Sequence, residues 1–185
     1  LIHLRAGRLE AAEATLAQAA KLEPRDPWIK SAQGTLARKR GQLDLAMKLA
    51  DEQKADLILA NDPDADRLAA CIPTATGRFR QLTGNQVGLL LADFMLEHAL
   101  AAPRPLVASS IVSSPMLGAI AEARGARFEQ TLTGFKWIWN AALDLEAQAG
   151  VRFAFGYEEA LGYSVGRIVR DKDGISAAVA MLHLA

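Results

Sequence analysis

From Leu43 onward, short apolar runs of strand length alternate with longer segments of helical pattern, and this alternation restricts the fold more than any other feature. The clearest runs read ADLILA, PLVASSIV, ARFEQTL and VRFAF, whereas the stretch GRFRQ reads as a turn. Thr83 followed by Gln86 forms a capping-box signal that starts a helix. Strands that alternate with helices favour a parallel sheet with helices on both faces. We therefore predict an α/β fold whose main domain is a three-layer α/β/α structure on a mainly parallel sheet.

Residues 1–42 differ from the rest because they are rich in Ala, Leu, Arg and Glu, a composition that favours helix. Three positions recur after about 34 residues, the period of tetratricopeptide repeats. These positions are Gly7, Leu9 and Ala12, which reappear as Gly41, Leu43 and Ala46. The segment resembles about one and a third tetratricopeptide repeats, so we predict a helical hairpin of this type. Such arrays usually need about three repeats to form a binding groove, so a structural role is favoured over binding of a protein partner. An ordinary Ala-rich hairpin is the alternative.

The balance of charge and the lone cysteine exclude several classes of function. Lys and Arg number 21, as do Asp and Glu, so neither nucleic acid nor a membrane surface is the expected partner. Cys71 cannot form an internal disulfide, and it suits a reducing, cytoplasmic environment. No apolar run reaches the ~20 residues of a membrane span, and no signal peptide is recognisable. The first residue is not Met, which indicates a fragment.

The acidic loop Asn61–Arg67 directly follows the apolar run ADLILA and reads Asn-Asp-Pro-Asp-Ala-Asp-Arg. Its three carboxylates would repel one another in a compact turn unless a cation neutralised them. Ligands that are all oxygen suit Mg²⁺, and the forked guanidinium of Arg67 suits a phosphoryl oxygen. The loop therefore indicates a site for a metal ion and a phosphate group.

Two other interpretations of this loop need to be considered. An acidic surface turn without a metal ion is the simpler one. A calcium-binding EF-hand loop is excluded because Arg67 stands at the sixth position, where Gly is required, and Pro73 at the twelfth, where Glu is required.

Three later loops carry polar residues next to predicted strands or helices. Thr133 and Gly134, in TLTGFK, precede a helix whose N–H groups can face an oxygen-rich ligand, although a simple capped turn is the alternative. Glu158, in GYEEALGY, can accept hydrogen bonds from two sugar hydroxyls, with a solvated acidic turn as the alternative. Lys172, in VRDKDG, precedes the last helix, and weak local salt bridges are its simpler interpretation.

These motifs occur in an order that resembles the α-D-phosphohexomutase family, which includes phosphoglucomutases and phosphomannomutases. The resemblance rests on DPDADR with GNQVGLLLADFML, and on TLTGFK, GYEEALGY and VRDKDG, and it covers about residues 43–185. It implies an enzyme that interconverts hexose 1-phosphate and 6-phosphate through a phosphoserine and a bisphosphate intermediate. The form YEEALGY resembles the branch of phosphoglucomutases with phosphopentomutase activity, so a pentose phosphate is also an expected substrate.

The resemblance assigns the metal and phosphate contacts. It implies that Asp62, Asp64 and Asp66 hold Mg²⁺, and that Arg67 contacts the reacting phosphate. The lysine of the family's KDG motif matches Lys172, which is expected to transfer a proton or to contact phosphate. Proton transfer would require a lowered pKa of the Lys172 ammonium group.

The resemblance also assigns the sugar contacts. It implies that Thr133, Gly134 and Glu158 touch the sugar. Ala160 stands where many members of the family have Ser, so one hydroxyl contact of the family is not expected in this chain.

The resemblance divides the chain into three parts. Residues 1–42 are the tetratricopeptide-like segment, residues 43–78 match the end of the family's second domain, and residues 79–185 match a C-terminally truncated third domain. The phosphoserine loop, close to Thr-x-Ser-His-Asn-Pro, and the phosphate clamp, close to Arg-x-Ser-Gly-Thr-Glu, do not occur in the sequence. Serines such as Ser110 and Ser113 are interpreted as strand-end or cap residues instead.

Three hypotheses about function remain from the sequence. The chain is part of an active sugar-phosphate mutase, or it is an inactive remnant that binds metal and sugar phosphate, or it is a scaffold that acts through its N-terminal helices. The family resemblance favours a mutase, whereas the missing loops disfavour turnover by these residues alone.

Overall fold

The structure is a computed structural model that describes residues 43–99 and 103–185, together with residues 14, 17, 18, 21 and 22. Over these residues the chain has the predicted α/β fold. The predicted tetratricopeptide-like hairpin of residues 1–42 lies outside the described residues, apart from those isolated positions. Among the described helices, none has the length and apolar character needed to cross a membrane.

Helices and strands follow one another much as the sequence pattern predicts. The helices are α1 (Leu43–Glu52), α2 (Gly84–Glu97), α3 (Met116–Ala123), α4 (Phe135–Ala149) and α5 (Gly174–Leu184). The strands are β1 (Ile58–Asn61), β2 (Leu68–Pro73), β3 (Phe79–Gln81), β4 (Arg104–Ser110), β5 (Arg127–Thr131), β6 (Val151–Glu158) and β7 (Gly162–Val165). The capping box at the start of α2 is confirmed, because Thr83 and Gln86 each accept a backbone N–H from the other.

The first three strands form a small antiparallel sheet in the order β1-β2-β3. This sheet corrects two predictions, because β1 and β2 do not join the parallel sheet and the stretch GRFRQ contains β3 rather than only a turn. The physical reason lies in the loop 62–67, which is too short for the crossover of about a dozen residues that a parallel pair requires. The acidic loop is therefore the tip of a hairpin.

The main sheet has four strands in the order β5-β4-β6-β7. Strand β4 pairs parallel with β5 and β6, and β7, which the sequence pattern does not predict, returns antiparallel to β6. Because β4, β5 and β6 are parallel, all three end at the same edge of the sheet. The loops after Ser110, Thr131 and Glu158 therefore meet at that edge, as expected for a ligand site in this type of sheet.

Helices cover both faces of the main sheet, which gives the predicted three layers. Val107 packs in a core shared with α2, α3 and α5, whereas its neighbours Leu106 and Ala108 pack against α4. This alternation follows from the opposite directions of successive side chains along a strand.

A bulge in β6 changes the face to which its aromatic residues point. The register between β4 and β6 shifts between Leu106 and Val107, which pair with Phe153 and Phe155. Phe153 consequently packs with α4, while Phe155 joins the core on the opposite face. Strict alternation along VRFAF would have placed both rings on one face.

Candidate active site

The acidic loop folds so that its carboxylates converge. The backbone N–H of Arg67 donates to Oδ1 of Asp62 at 3.1 Å, and the N–H of Ala65 donates to the carbonyl of Asp62 at 3.0 Å. Ala65 has a φ of 60°, which bends the chain at the centre of the loop. One carboxylate oxygen from each of Asp62, Asp64 and Asp66 then lies within 4.8 Å of the other two.

This donor set fits a divalent cation. Oxygens bound to Mg²⁺ lie about 2.1 Å from the ion, so opposite ligands are about 4 Å apart, and small side-chain rotations would reach that spacing. Asp62 and Asp66 are half-buried and Asp64 is exposed, so the cluster is open to solvent on one side. Three like charges at this spacing repel one another unless a cation lies between them.

Lys172 contributes a positive charge at the edge of the carboxylate cluster. Its Nζ lies 3.0 Å from Oδ2 of Asp66 and 3.5 Å from Oδ1 of Asp171. Partial burial lowers the pKa of Lys172, but the hydrogen bond that its ammonium donates to Asp66 and the charges of both carboxylates outweigh it, so the pKa is raised above its usual value of 10.5. Lys172 is therefore held as an ammonium ion beside Asp66 and Asp171 in this geometry.

Arg67 presents its guanidinium group next to the same cluster. Its side chain is 54% exposed, and its Nε lies 4.0 Å from Oδ1 of Asp66. The backbone of Arg67 is fixed by Asn61, whose side-chain amide donates to the Arg67 carbonyl at 2.7 Å. The guanidinium can thus reach an anionic ligand in front of the loop while its backbone stays in place.

The predicted sugar loop and the predicted sugar-binding glutamate meet at the edge of the main sheet. The N–H of Gly134, at the start of α4, donates to Oε1 of Glu158, at the end of β6. Gly134 has a φ of 120° and a ψ of 125°, which side-chain-bearing residues rarely adopt. Thr133 is exposed directly before it. A carboxylate has two oxygens, so Glu158 can accept from Gly134 and from a ligand hydroxyl at once.

One turn, residues 158–162, contacts both Gly134 and the acidic loop. Gly162 pairs with Glu158 across the β6–β7 turn and also forms a bridge with Arg67. The N–H of Leu68 donates to the carbonyl of Leu161 at 3.1 Å. Glu158 and the acidic loop are thereby held on two sides of the same short turn.

Gly162 allows the side chains of Lys172 and Phe135 to approach the 158–162 turn closely. A Cβ at this position would lie 2.7 Å from Cδ of Lys172 and 3.1 Å from a ring carbon of Phe135. The Lys172 ammonium also lies 5.7 Å from the centre of the Phe135 ring. The absent side chain at position 162 thus leaves room for Lys172 to run across the turn toward Asp66.

The last helix packs directly on the acidic loop. The N–H of Gly174 donates to the carbonyl of Ala65 at 3.0 Å, and a Cβ at position 174 would lie 2.4 Å from the Arg67 carbonyl oxygen. Asp173 caps α5 by accepting from the N–H of Ile175 at 3.0 Å. The acidic loop is therefore supported by backbone contacts from α5.

One part of the site is missing from the sequence-based prediction. Glu159 accepts hydrogen bonds from Ser110 and Ser113, which the sequence pattern presents only as strand-end or cap residues. The pair of successive glutamates in GYEEALGY is the only signal in the sequence that could point to a second role. The partners lie 46 and 49 residues away in the chain, so no local pattern identifies them.

Comparisons with known proteins agree with this architecture. The family model "Phosphoglucomutase/phosphomannomutase, alpha/beta/alpha domain III" matches residues 83–185. The phosphopentomutase of Homo sapiens is 44% identical over 153 residues, which are 79% of this chain and 25% of that protein. The phosphoribomutase of Saccharomyces cerevisiae is 42% identical over 156 residues, which are 77% of this chain and 24% of that protein.

Solved structures show the same fold. A phosphoglucomutase/phosphomannomutase family protein from Burkholderia thailandensis superposes with a TM-score of 0.57 at 16% identity, covering 78% of this chain and 29% of that one. The chain spans about a quarter of the length of the two curated relatives. The family match extends over more than half of the chain and includes Gly134, Glu158 and Lys172. On these grounds, the chain belongs to the phosphoglucomutase/phosphomannomutase family.

Proposed function

We propose that this chain forms the metal-binding and sugar-binding part of a sugar-phosphate mutase. The reaction would interconvert hexose 1-phosphate and hexose 6-phosphate, or the corresponding pentose phosphates. The observation that carries this proposal is the placement of the carboxylate cluster and Glu158 on two sides of the turn at Gly162. A sugar phosphate is a short molecule. One group must accept hydrogen bonds from its hydroxyls, and another must bind metal and phosphate within its length.

In this proposal Asp62, Asp64 and Asp66 hold Mg²⁺. The convergence of their oxygens within 4.8 Å and the all-oxygen character of the cluster support this assignment. When bound, the ion neutralises negative charge on the transferring phosphoryl group and on the serine oxygen.

Arg67 and Lys172 would bind phosphate oxygens. The exposed, forked guanidinium of Arg67 suits two oxygens of one phosphate. The ammonium of Lys172, 3.0 Å from Asp66, lies where it can contact a phosphate oxygen, and proton transfer is the alternative role. Both cations lie beside the cluster, where they can position a phosphoryl group without themselves being chemically changed.

Thr133, Gly134 and Glu158 would orient the sugar. Glu158 accepts a hydrogen bond from one sugar hydroxyl, and this contact places another hydroxyl against the phosphoryl group. That hydroxyl oxygen forms a bond to phosphorus while the bond between phosphorus and the phosphoserine oxygen breaks. The attacking hydroxyl gives up its proton and the departing serine oxygen takes one up, so this step yields the bisphosphate and a free serine hydroxyl. The bisphosphate then turns, and its other phosphate returns to the serine by the same exchange in reverse. The phosphoserine belongs to a loop that this sequence does not contain.

The identity of the sugar is a finer part of the proposal. Two relatives are named phosphoribomutase and phosphopentomutase, which supports a pentose phosphate as one substrate. Ala160 lacks the hydroxyl that Ser provides in many family members, so recognition of the sugar relies more heavily on Glu158.

The sharpest test places residues 43–185 into a complete relative. The matching segment of the human phosphopentomutase would be replaced by these residues, and conversion of ribose 1-phosphate and glucose 1-phosphate would be measured with a glucose 1,6-bisphosphate primer. We expect the chimaera to be active and its Asp64→Ala variant to be inactive. A folded chimaera that binds sugar phosphate but never turns over would favour the inactive remnant instead.

Two further expectations stay predictions. A cytoplasmic location follows only from the lone Cys71. Binding of a protein partner by residues 1–42 would be tested by a pull-down in which the full chain captures the partner and residues 43–185 alone do not.

A further inference from the structure

A closed group of hydrogen bonds joins the ends of β4 and β6 beside the proposed sugar site. The hydroxyls of Ser110 and Ser113 lie 2.8 Å apart, and they donate to Oε2 of Glu159 at 3.3 and 3.2 Å. The N–H of Glu159 donates to Oγ of Ser113 at 3.2 Å. Both serines are buried, so water does not replace these contacts easily.

Oε2 of Glu159 is the acceptor that the two serine hydroxyls share. A hydroxyl can donate only one hydrogen bond, so neither serine can take the place of this oxygen for the other without losing a contact. An amide at position 159 could turn its oxygen toward the serines, but it would accept more weakly and bring an NH₂ group with it. Removing one member of a buried hydrogen-bonded group leaves the others unsatisfied, which is costly.

The position of Glu159 connects this group to Glu158. Successive side chains at the end of a strand point in opposite directions. Glu159 accordingly points toward the loop after β4, while Glu158 points toward the N–H of Gly134. Because both the N–H and the side chain of Glu159 are held, the peptide group between the two glutamates is held as well.

The turn that follows needs such support. Leu161 has a φ of 66°, a left-handed conformation that residues other than Gly adopt uncommonly and that costs free energy unless the surroundings support it. The start of α2 packs against the same turn, since a Cβ on Gly84 would lie 1.9 Å from the Glu159 carbonyl oxygen. The conformation of the turn is therefore set by contacts to Glu159 from two other elements.

We infer that Glu159 is a positioning residue for sugar recognition, which acts by holding the 158–162 turn so that Glu158 meets Gly134. This inference rests on the proposed role of Glu158 in binding the sugar. Glu159 acts through its neighbour and does not itself contact the sugar.

The test compares Glu159→Gln and Ser113→Ala with a matched control, Glu146→Gln. Glu146 is also a partly buried glutamate that accepts a backbone N–H from β6, that of Phe153 at 2.9 Å, and it also pairs with Arg167 at 3.1 Å. It lies toward the other end of β6, away from the turn. Three quantities would be measured: the amide resonance and hydrogen exchange of Gly134, the affinity for glucose 1,6-bisphosphate, and the affinity for Mg²⁺.

We expect Glu159→Gln and Ser113→Ala to shift the Gly134 resonance and to speed its exchange, although neither residue touches Gly134. The affinity for glucose 1,6-bisphosphate should fall about tenfold, and the affinity for Mg²⁺ should fall less because the acidic loop is also held by α5. Glu146→Gln should leave the Gly134 amide as in the wild type. Loss of the folded circular-dichroism signal together with sugar binding would indicate general unfolding and would contradict a positioning role.

The outcomes separate this inference from the proposed function. If Glu158→Ala abolishes bisphosphate binding but Glu159→Gln and Ser113→Ala leave it intact, Glu159 is not a positioning residue and the sugar site stands. If the wild type itself does not bind the bisphosphate, the proposed function fails. In that case the amide resonance of Gly134 still tests whether Glu159 fixes the turn. If this resonance is the same as in the wild type in both Glu159→Gln and Ser113→Ala, the inference is overturned.

Discussion

The side-chain nitrogen of Lys172 lies 3.0 Å from Oδ2 of Asp66, so an ion pair joins the segment before α5 to the carboxylate cluster. The ammonium offsets part of the negative charge that would attract a divalent ion. Lys172→Met keeps the alkyl contact with Gly162 and removes the positive charge. We expect the variant to bind Mg²⁺ about three- to tenfold more tightly, as measured by isothermal titration calorimetry.

A matched control for this prediction is Lys136→Met. Lys136 lies over the ring of Trp137 on the exposed side of α4, outside the carboxylate cluster. Its substitution should leave the Mg²⁺ affinity as in the wild type. Weaker Mg²⁺ binding by Lys172→Met would mean that the lysine helps to form the cation site rather than competing with it.

Gly174→Ala should destabilise the protein and distort the acidic loop. The added methyl group would lie 2.4 Å from the Arg67 carbonyl oxygen and 2.3 Å from the Asn61 amide nitrogen, and a backbone atom cannot rotate away. We expect a loss of about 1–3 kcal/mol in the free energy of unfolding, measured by urea denaturation, together with weaker Mg²⁺ binding.

Gly118→Ala provides the comparison, since its added methyl group would meet only the edge of the Phe128 ring at 3.1 Å. A small shift of that ring and the higher helix propensity of Ala should keep the change within about 1 kcal/mol. Equal destabilisation by the two substitutions would show that the contact between α5 and the acidic loop is not special.

The two tyrosines of the chain should not titrate in the usual range. Burial raises the pKa of Tyr157 to about 12 and raises that of Tyr163 as well, from the ordinary value of 10.0. A raised folded-state pKa contributes stability that is fully present below pH 10 and is lost as the pH rises through the folded value. We expect the tyrosinate absorbance at high pH to appear together with loss of the folded circular-dichroism signal. A transition near pH 10 in the folded protein would contradict this burial.

Much of the fold was predictable because it depends on local patterns. Alternating strand and helix segments indicated the three-layer domain, and the capping box at Thr83 marked the start of α2 correctly. The small sheet and β7 were missed for a shared reason. Which strands pair depends on where the chain reverses direction and on contacts between distant residues. In addition, a strand as short as Phe79–Gln81 has too few residues to show a recognisable hydrophobic period.

In the candidate site, too, contacts within one loop were predictable from the sequence, whereas contacts between distant residues were not. Asp62, Asp64 and Asp66 lie within a single hairpin loop, so their convergence could be expected from spacing alone. The link between Ser113 and Glu159 depends on the parallel pairing of β4 with β6, which brings their ends together. Sequence gives no indication of such a contact, nor of the bulge that turns Phe155 to the opposite face from Phe153.

Calorimetric titration with Mg²⁺ tests most directly whether the acidic loop binds a divalent cation. The wild type should show saturable binding, and Asp64→Ala should lose it, because one of three converging carboxylates is removed. Asp56→Ala removes a carboxylate that lies before β1 and outside the cluster, so it should titrate like the wild type. Identical heats for the wild type and Asp64→Ala would contradict the assignment of this loop as the metal site.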